Sequence, residues 1–166
     1  LSYTTDDFVN DITGLANFNA ASLIAWIRPS EISNGPYTPI MRGDSNVDFG
    51  FSLVDNTSDG TYDDVRFIWR DGPFQDAYAN DQFNVDTWAM VSHTVDSTNG
   101  FDGYVDTTNV ASASSSSLMY AGSSSLEWGR RTIPDQYFDG IIDGPILYYN
   151  EKKTQSEIED IYNTFA

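Results

Sequence analysis

Residues 137–165 read YFDGIIDGPILYYNEKKTQSEIEDIYNTF, and the change of period inside this stretch decides the fold class. Up to Tyr149 it is apolar and aromatic, as a long strand should be, with Pro145 marking a bulge or a position that needs no ladder donor. From Thr154 the period changes to that of a helix. Thr154 and Glu157 have the spacing of a capping box, in which hydroxyl and carboxylate each satisfy an amide at the helix start. Ile158, Ile161, Tyr162 and Phe165 then recur at i, i+3, i+4 and i+7, one apolar stripe. The reading is a closing strand followed by one short amphipathic helix that docks on a sheet.

Working outward from this ending, the rest of the chain is written in strands and turns. Residues 21–28 (ASLIAWIR) are apolar on both faces, which suits a strand covered from two sides. In 47–54 (VDFGFSLV), Phe49, Phe51 and Leu53 alternate with small or polar residues. In 65–70, Val65, Phe67 and Trp69 oppose Arg66 and Arg70. Residues 87–96 and 101–106 are two strands separated by Ser97-Thr98-Asn99-Gly100, a hairpin loop whose Asn-Gly tolerates positive φ. Residues 126–129 make a short strand, and 111–117 (ASASSSS) read as a flexible surface loop. Many short strands at this spacing predict an all-β, antiparallel two-sheet sandwich of jelly-roll type, with the helix last. Trp26 and Trp88 are expected in its core.

Composition agrees. The chain has 166 residues, enough for one domain spanning 1–166 with a real core. Of 25 acidic residues, 20 are Asp and five are Glu, and Asp favours turns and caps over helix interiors. Eight basic residues leave a net charge of −17, which argues against a nucleic-acid partner and against an anionic membrane surface. The absence of Cys excludes disulfides and thiolate metal sites. No run of 18 apolar residues predicts a membrane helix. The chain opens with Leu1, which fits a processed chain and an excised piece equally well.

With these elements in place, the sequence resembles the laminin-G-like (concanavalin A-like lectin/glucanase) jelly-roll domains. The ending FDGIIDGPILYYNEKKTQSEIEDIYN is similar to their closing strand and helix, and SLIAWIRPS to their early Trp strand. Residues 88–96 take the place of their Trp-His-His-Val-Ala-Val strand, and Gly103-Tyr104-Val105-Asp106 that of their Tyr-Val-Asp-Gly strand. The likeness extends over about 6–165. Ala89-Met90 stand where the family has His-His, Thr107 where it has Gly, and Gly144-Pro145 where it has an acidic Glu-Val. The resemblance implies the sandwich and a rim that carries ligands.

The chemistry on offer is recognition. Glucanases of this fold carry a Glu-x-Asp-x-(x)-Glu cluster on one strand, and this chain has none; its five Glu are scattered. Asp63 and Asp64 are adjacent, so they turn to opposite faces of a strand. His93, the one histidine, sits mid-strand and reads as structural. Gly43-Asp44-Ser45 and the Ser-rich loop offer no nucleophile with a neighbouring base, so the chain is expected not to be an enzyme.

Calcium is the candidate cofactor, since it takes six to eight oxygens and Asp/Asn loops supply them. By position, the resemblance assigns it Asp44, Asn46, Asp135 and Gln136, which also serve as ordinary turn residues. The run 55–66 fails the EF-hand spacing, because Arg66 stands where a bidentate Glu is required; an Asx-rich turn is the expectation. Asp143 reads as structural.

Aromatics beside planar polar groups suit sugars, whose rings pair an apolar face with hydroxyls. Two stretches have both ingredients, giving Trp69, Arg70, Tyr78, Trp128, Arg130 and Tyr137 as candidate ligand-binding residues. The same aromatics at alternating spacing also fill cores. The expected function is a non-catalytic recognition module that binds a glycan or a surface partner through rim loops, with calcium as a candidate requirement. Its expected setting is extracellular, on a cell surface or on a virion. The alternative is a structural or decorating subunit of a viral or cell-surface assembly, with a homo-oligomer or an assembly partner.

Overall fold

The computed structural model describes residues 2–3, 9–12, 19–33, 35, 37–42, 49–70, 74–114, 126–131 and 136–166. Within the strands, the side chains of 2–3, 9–12, 37–42, 70, 74, 126, 130–131, 136 and 149 lie outside the description. The described residues form two antiparallel six-stranded sheets, a two-stranded ribbon and one helix.

The first sheet runs, from edge to edge, β1 (Ser2–Tyr3), β14 (Gly140–Tyr149), β3 (Ala20–Pro29), β8 (Ala89–Asp96), β9 (Gly100–Val105) and β10 (Thr108–Ala113). The second runs β2 (Val9–Ile12), β11 (Leu126–Trp128), β4 (Tyr37–Arg42), β5 (Phe49–Val54), β6 (Asp64–Arg70) and β7 (Phe74–Ala79). The ribbon pairs β12 (Arg130–Arg131) with β13 (Gln136–Tyr137), and α1 (Gln155–Phe165) ends the chain.

Alternation builds the core. Phe49 faces Trp69, Phe51 faces Phe67 and Leu53 faces Val65 across β5 and β6, and all six are buried. They meet Leu23, Ala25 and Ile27 of β3 and Val91 and Val95 of β8 from the other sheet. The opposite face of β3 is apolar for a different reason. Ile24 joins Met90, Tyr104 and Ile158 in a second cluster, which α1 covers with Ile161 and Tyr162 at its margin. The helix opens on the expected capping box, with Thr154 accepting from the Glu157 amide and Glu157 accepting from the Thr154 amide. Pro145 falls in a register shift between Asp143 and Ile146, where the ladder makes no demand on its missing N–H.

At Gly103 two layers come closest. A Cβ there would lie 2.6 Å from Phe67 Cε2, and Phe67 is fully buried. The close-packed interior has no slack for the ring to yield. Gly103→Ala is therefore expected to cost about 2–3 kcal/mol in urea unfolding at neutral pH, the range of overpacked cores. A cost under about 0.5 kcal/mol would contradict this packing.

Three expectations need correction. Residues 111–113 belong to β10, an edge strand on β9, because Asp102 holds Ser112 and Asn109 to it; 115–117 lie outside the described residues. Trp88 is 43 % exposed and not in the core, since it precedes the register of β8 that faces the second sheet, and Trp26 is half-buried on the outward face of β3, at the margin of the second cluster. Asp143 is exposed at the β14 bulge, and among the described residues none bonds its carboxylate.

Candidate functional site

The second sheet shows one side to its partner sheet and the other outward. On the outward side, Arg66 of β6 stands opposite Tyr78 of β7, with Asp76 two residues before Tyr78 on the same face. Arg66 donates to Asp76 Oδ2 from Nε (3.0 Å) and from Nη2 (2.6 Å). The Tyr78 hydroxyl donates to the same oxygen at 2.8 Å. The guanidinium also lies over the Tyr78 ring, 5.7 Å from its centroid, a cation–π contact. Burial, and then the bond to Asp76, push the Tyr78 phenol above its usual range, so it stays a donor at neutral pH.

Tyr78 is 39 % exposed and the Arg66 and Asp76 side chains are 28 % and 30 % exposed, so the group is open to solvent. All three recorded bonds end on Oδ2. Among the described residues, none donates to Asp76 Oδ1. The arrangement offers a ligand an aromatic ring and a carboxylate oxygen, held in place by the guanidinium beside them. Of this trio, sequence reading singled out only Tyr78. Arg66 was legible as an outward position of an alternating strand; Asp76 lies in β7, which the sequence reading did not single out as a strand, and their meeting depends on the β6–β7 register.

The other expected residues are distributed differently. Trp69 is 2 % exposed and stacks on Phe101 with ring centroids 4.4 Å apart, so its ring has no face for a ligand. It is a core residue because the inward positions of β6 are Val65, Phe67 and Trp69. Trp128 is half-buried against the core, with its indole Nε1 enclosed and unpaired. Arg130 pairs in register with half-buried Tyr137 across the β12–β13 ribbon, and Trp128 precedes it by two residues at the end of β11. β11 and β7 are four inter-strand steps apart in the sheet order, about 19 Å at the usual strand spacing, so the two expected patches are separate. The side chains of Arg70, Arg130 and Gln136 lie outside the description, as do residues Asp44, Asn46 and Asp135 altogether.

A different carboxylate group does assemble. Asp59, Asp63 and Asp81 each bring an oxygen within 4.8 Å of the others, an arrangement that could hold a metal ion. The loop 55–63 forms the Asx turns expected of it: Asp55 accepts from the Asp59 and Gly60 amides. The Thr61 hydroxyl bonds Asp59 and lies 3.1 Å from Asp63; its single proton serves one at a time. That hydroxyl holds Asp59 below the usual carboxylate range, whereas burial raises Asp63. Asp81 arrives from the β7–β8 connection, and so the trio is invisible as a local motif.

His93 is fully buried between the sheets, stacked on Phe49 at 4.3 Å, with Phe67 and Phe101 edge-on. Burial lowers its pKa to about 3 against a weak opposing pull from the Gly50 backbone. It is a neutral residue of the core between the two sheets.

Solved structures with the same architecture extend this geometry. Domain 4 of an extracellular arabinanase from Geobacillus stearothermophilus, in complex with arabinotriose, superposes with a TM-score of 0.70 at 21 % identity over 90 % of this chain and 69 % of that one. A heptameric SAP-like pentraxin from Limulus polyphemus gives 0.68 at 13 % identity over 90 % and 72 %. The binding domain of botulinum neurotoxin DC, in complex with rat synaptotagmin II, gives 0.65 at 15 % over 89 % and 36 %. At these identities the likeness is one of fold. No curated protein matches the sequence. Residues 4–159 match the family model described as the concanavalin A-like lectin/glucanases superfamily. The chain belongs to the concanavalin A-like lectin/glucanase superfamily.

Proposed function

We propose that the protein is a non-catalytic glycan-recognition module, working outside the cell or on a surface, and that Arg66, Asp76 and Tyr78 form its binding face. The observation that carries the reading is the exposed Tyr78 ring set beside a guanidinium–carboxylate pair already fixed in place. A pyranose or furanose lays its apolar face on such a ring and meets vicinal hydroxyls with the planar groups. Preorganisation matters, because side chains ordered before binding cost no rotamer entropy on association. The arabinotriose-bound domain supports a glycan ligand, and the synaptotagmin-bound toxin domain shows that a relative by fold takes a protein.

Calcium belongs to the reading as a requirement to test, with Asp59, Asp63 and Asp81 as its holders; oxygen ligands suit a hard cation. Trp128 at the end of β11 and the ribbon residues Arg130 and Tyr137 are the second candidate patch. The experiment is a broad glycan array probed in millimolar Ca²⁺ and in EDTA with the wild type, Tyr78→Ala and Asp76→Asn. A glycan should be retained by the wild type and weakened at least tenfold, about 1.4 kcal/mol, in both variants. Retention unchanged in both variants would move the site to the ribbon, and no glycan hit at all would defeat the reading.

A further inference from the structure

The first sheet has its own opening. Helix α1 covers the outward face of β3, β8 and β9 at Ile24, Met90 and Tyr104. Beyond its last turn, Trp26, Trp88, Asp143, Gly144, Ile146 and Phe165 line a cleft of about 570 Å³. Trp26 is its floor, with Phe165 meeting it edge-on at a 5.6 Å centroid distance. Trp88 is 43 % and Phe165 65 % exposed, and both line the cleft. Asp143 is the register partner of Trp26 on β14, and the bulge that follows it keeps its carboxylate exposed at the mouth. Arg28, two residues beyond Trp26 on β3, is engaged by Asp86 at 3.1 Å.

From this we infer that the cleft is a binding site for an alkylammonium cation, with Trp26, Trp88 and Phe165 as the aromatic walls and Asp143 as the counter-charge. The rings carry negative electrostatic faces that attract a cation with an apolar shell. The protein's net charge of −17 raises the local concentration of cations around it. A saccharide fits this cleft less well than the Tyr78 face. Its hydroxyls need several donors and acceptors, and here Asp143 is the one charged side chain among the lining residues. The inference is independent of the glycan reading, because the two surfaces belong to different sheets.

The test is a titration with tetramethylammonium and with n-butylammonium at fixed ionic strength, followed by amide chemical shifts. The neutral comparator is 2,2-dimethylpropan-1-ol, similar in size and without the charge; arabinose and galactose are the sugar arm. Both cations should shift residues 26, 88, 143–146 and 165, and the neutral alcohol should bind at least tenfold more weakly. Trp88→Ala and Asp143→Asn should each weaken cation binding at least tenfold; both positions are exposed, and an unchanged melting temperature verifies the fold. Equal binding of the neutral alcohol, a sugar that shifts the same residues more strongly, or no shift with any probe at 100 mM would each overturn the assignment.

Discussion

Asp64→Ala should lose about 3–5 kcal/mol of stability in urea unfolding at neutral pH, one of the two largest effects expected in this protein. Asp64 has no exposed surface, yet it is acidic. Its Oδ2 accepts from the backbone amides of Asn56 (2.6 Å) and Thr57 (3.0 Å), and Oδ1 accepts from the Asp81 amide (2.8 Å). One carboxylate therefore ties the 55–63 loop to the β7–β8 connection. Alanine would leave three donors without their acceptor, and hydrogen bonds to a charged group carry about 1.5–3 kcal/mol each. Asp64→Asn should recover little, because its amide nitrogen would turn N–H groups toward N–H donors. The same change should scatter Asp59, Asp63 and Asp81, abolishing any stabilisation by Ca²⁺. A loss below about 1 kcal/mol for the alanine variant would show that water replaces the carboxylate.

Acidification from pH 6.5 to 4.5 should cost about 2–3 kcal/mol through His93 alone. The imidazole has its ordinary value of 6.5 in the unfolded chain and about 3 in the fold, where burial disfavours the charged form. Below pH 6.5 the unfolded chain takes up a proton that the native state refuses. Stability then falls by up to about 1.4 kcal/mol per pH unit, and this continues until the native imidazole titrates near pH 3. There is one histidine, and it dominates the window above pH 5; Asp63, raised by burial, acts there with the opposite sign. The carboxyls of Asp59, Asp96, Asp102 and Glu157, all held below their ordinary values, add acid lability only lower down. Urea midpoints at pH 7.5, 6.5, 5.5 and 4.5 measure the slope, with His93→Leu as control. The leucine variant should be nearly flat over this range; a slope equal to the wild type would place the acid sensitivity elsewhere.

Asp64 and His93 mark the limit of reading from sequence in different ways. His93 was legible as a core residue, because it occupies an inward position in a strand of Val and Ala. Asp64 was legible only as a neighbour of Asp63 turned the other way; its three partners lie 7, 8 and 17 residues off. The aromatic residues divide similarly. Phe49, Phe51 and Phe67 declare themselves by alternation, whereas Trp69 and Tyr78 look equally suited to a ligand until the register puts one inside and the other out. The β10 edge strand was hidden because Thr108–Ala113 lacks apolar alternation; it is held by Asp102 and by pairing to β9.

Local periodicity and capping chemistry determined by themselves that this chain is a sandwich closed by a long bulged strand and a capped helix. Those are properties of neighbours along the chain, and nearest-neighbour physics suffices to read them. The tertiary structure alone decided the sites. Arg66 meets Asp76 through the β6–β7 pairing, Asp81 reaches Asp59 and Asp63 from the next connection, and Trp26, Trp88 and Phe165 converge from three separate elements. Each of these groups depends on register and on where a helix stops covering a sheet, and those are set by long-range packing with no counterpart in the local sequence.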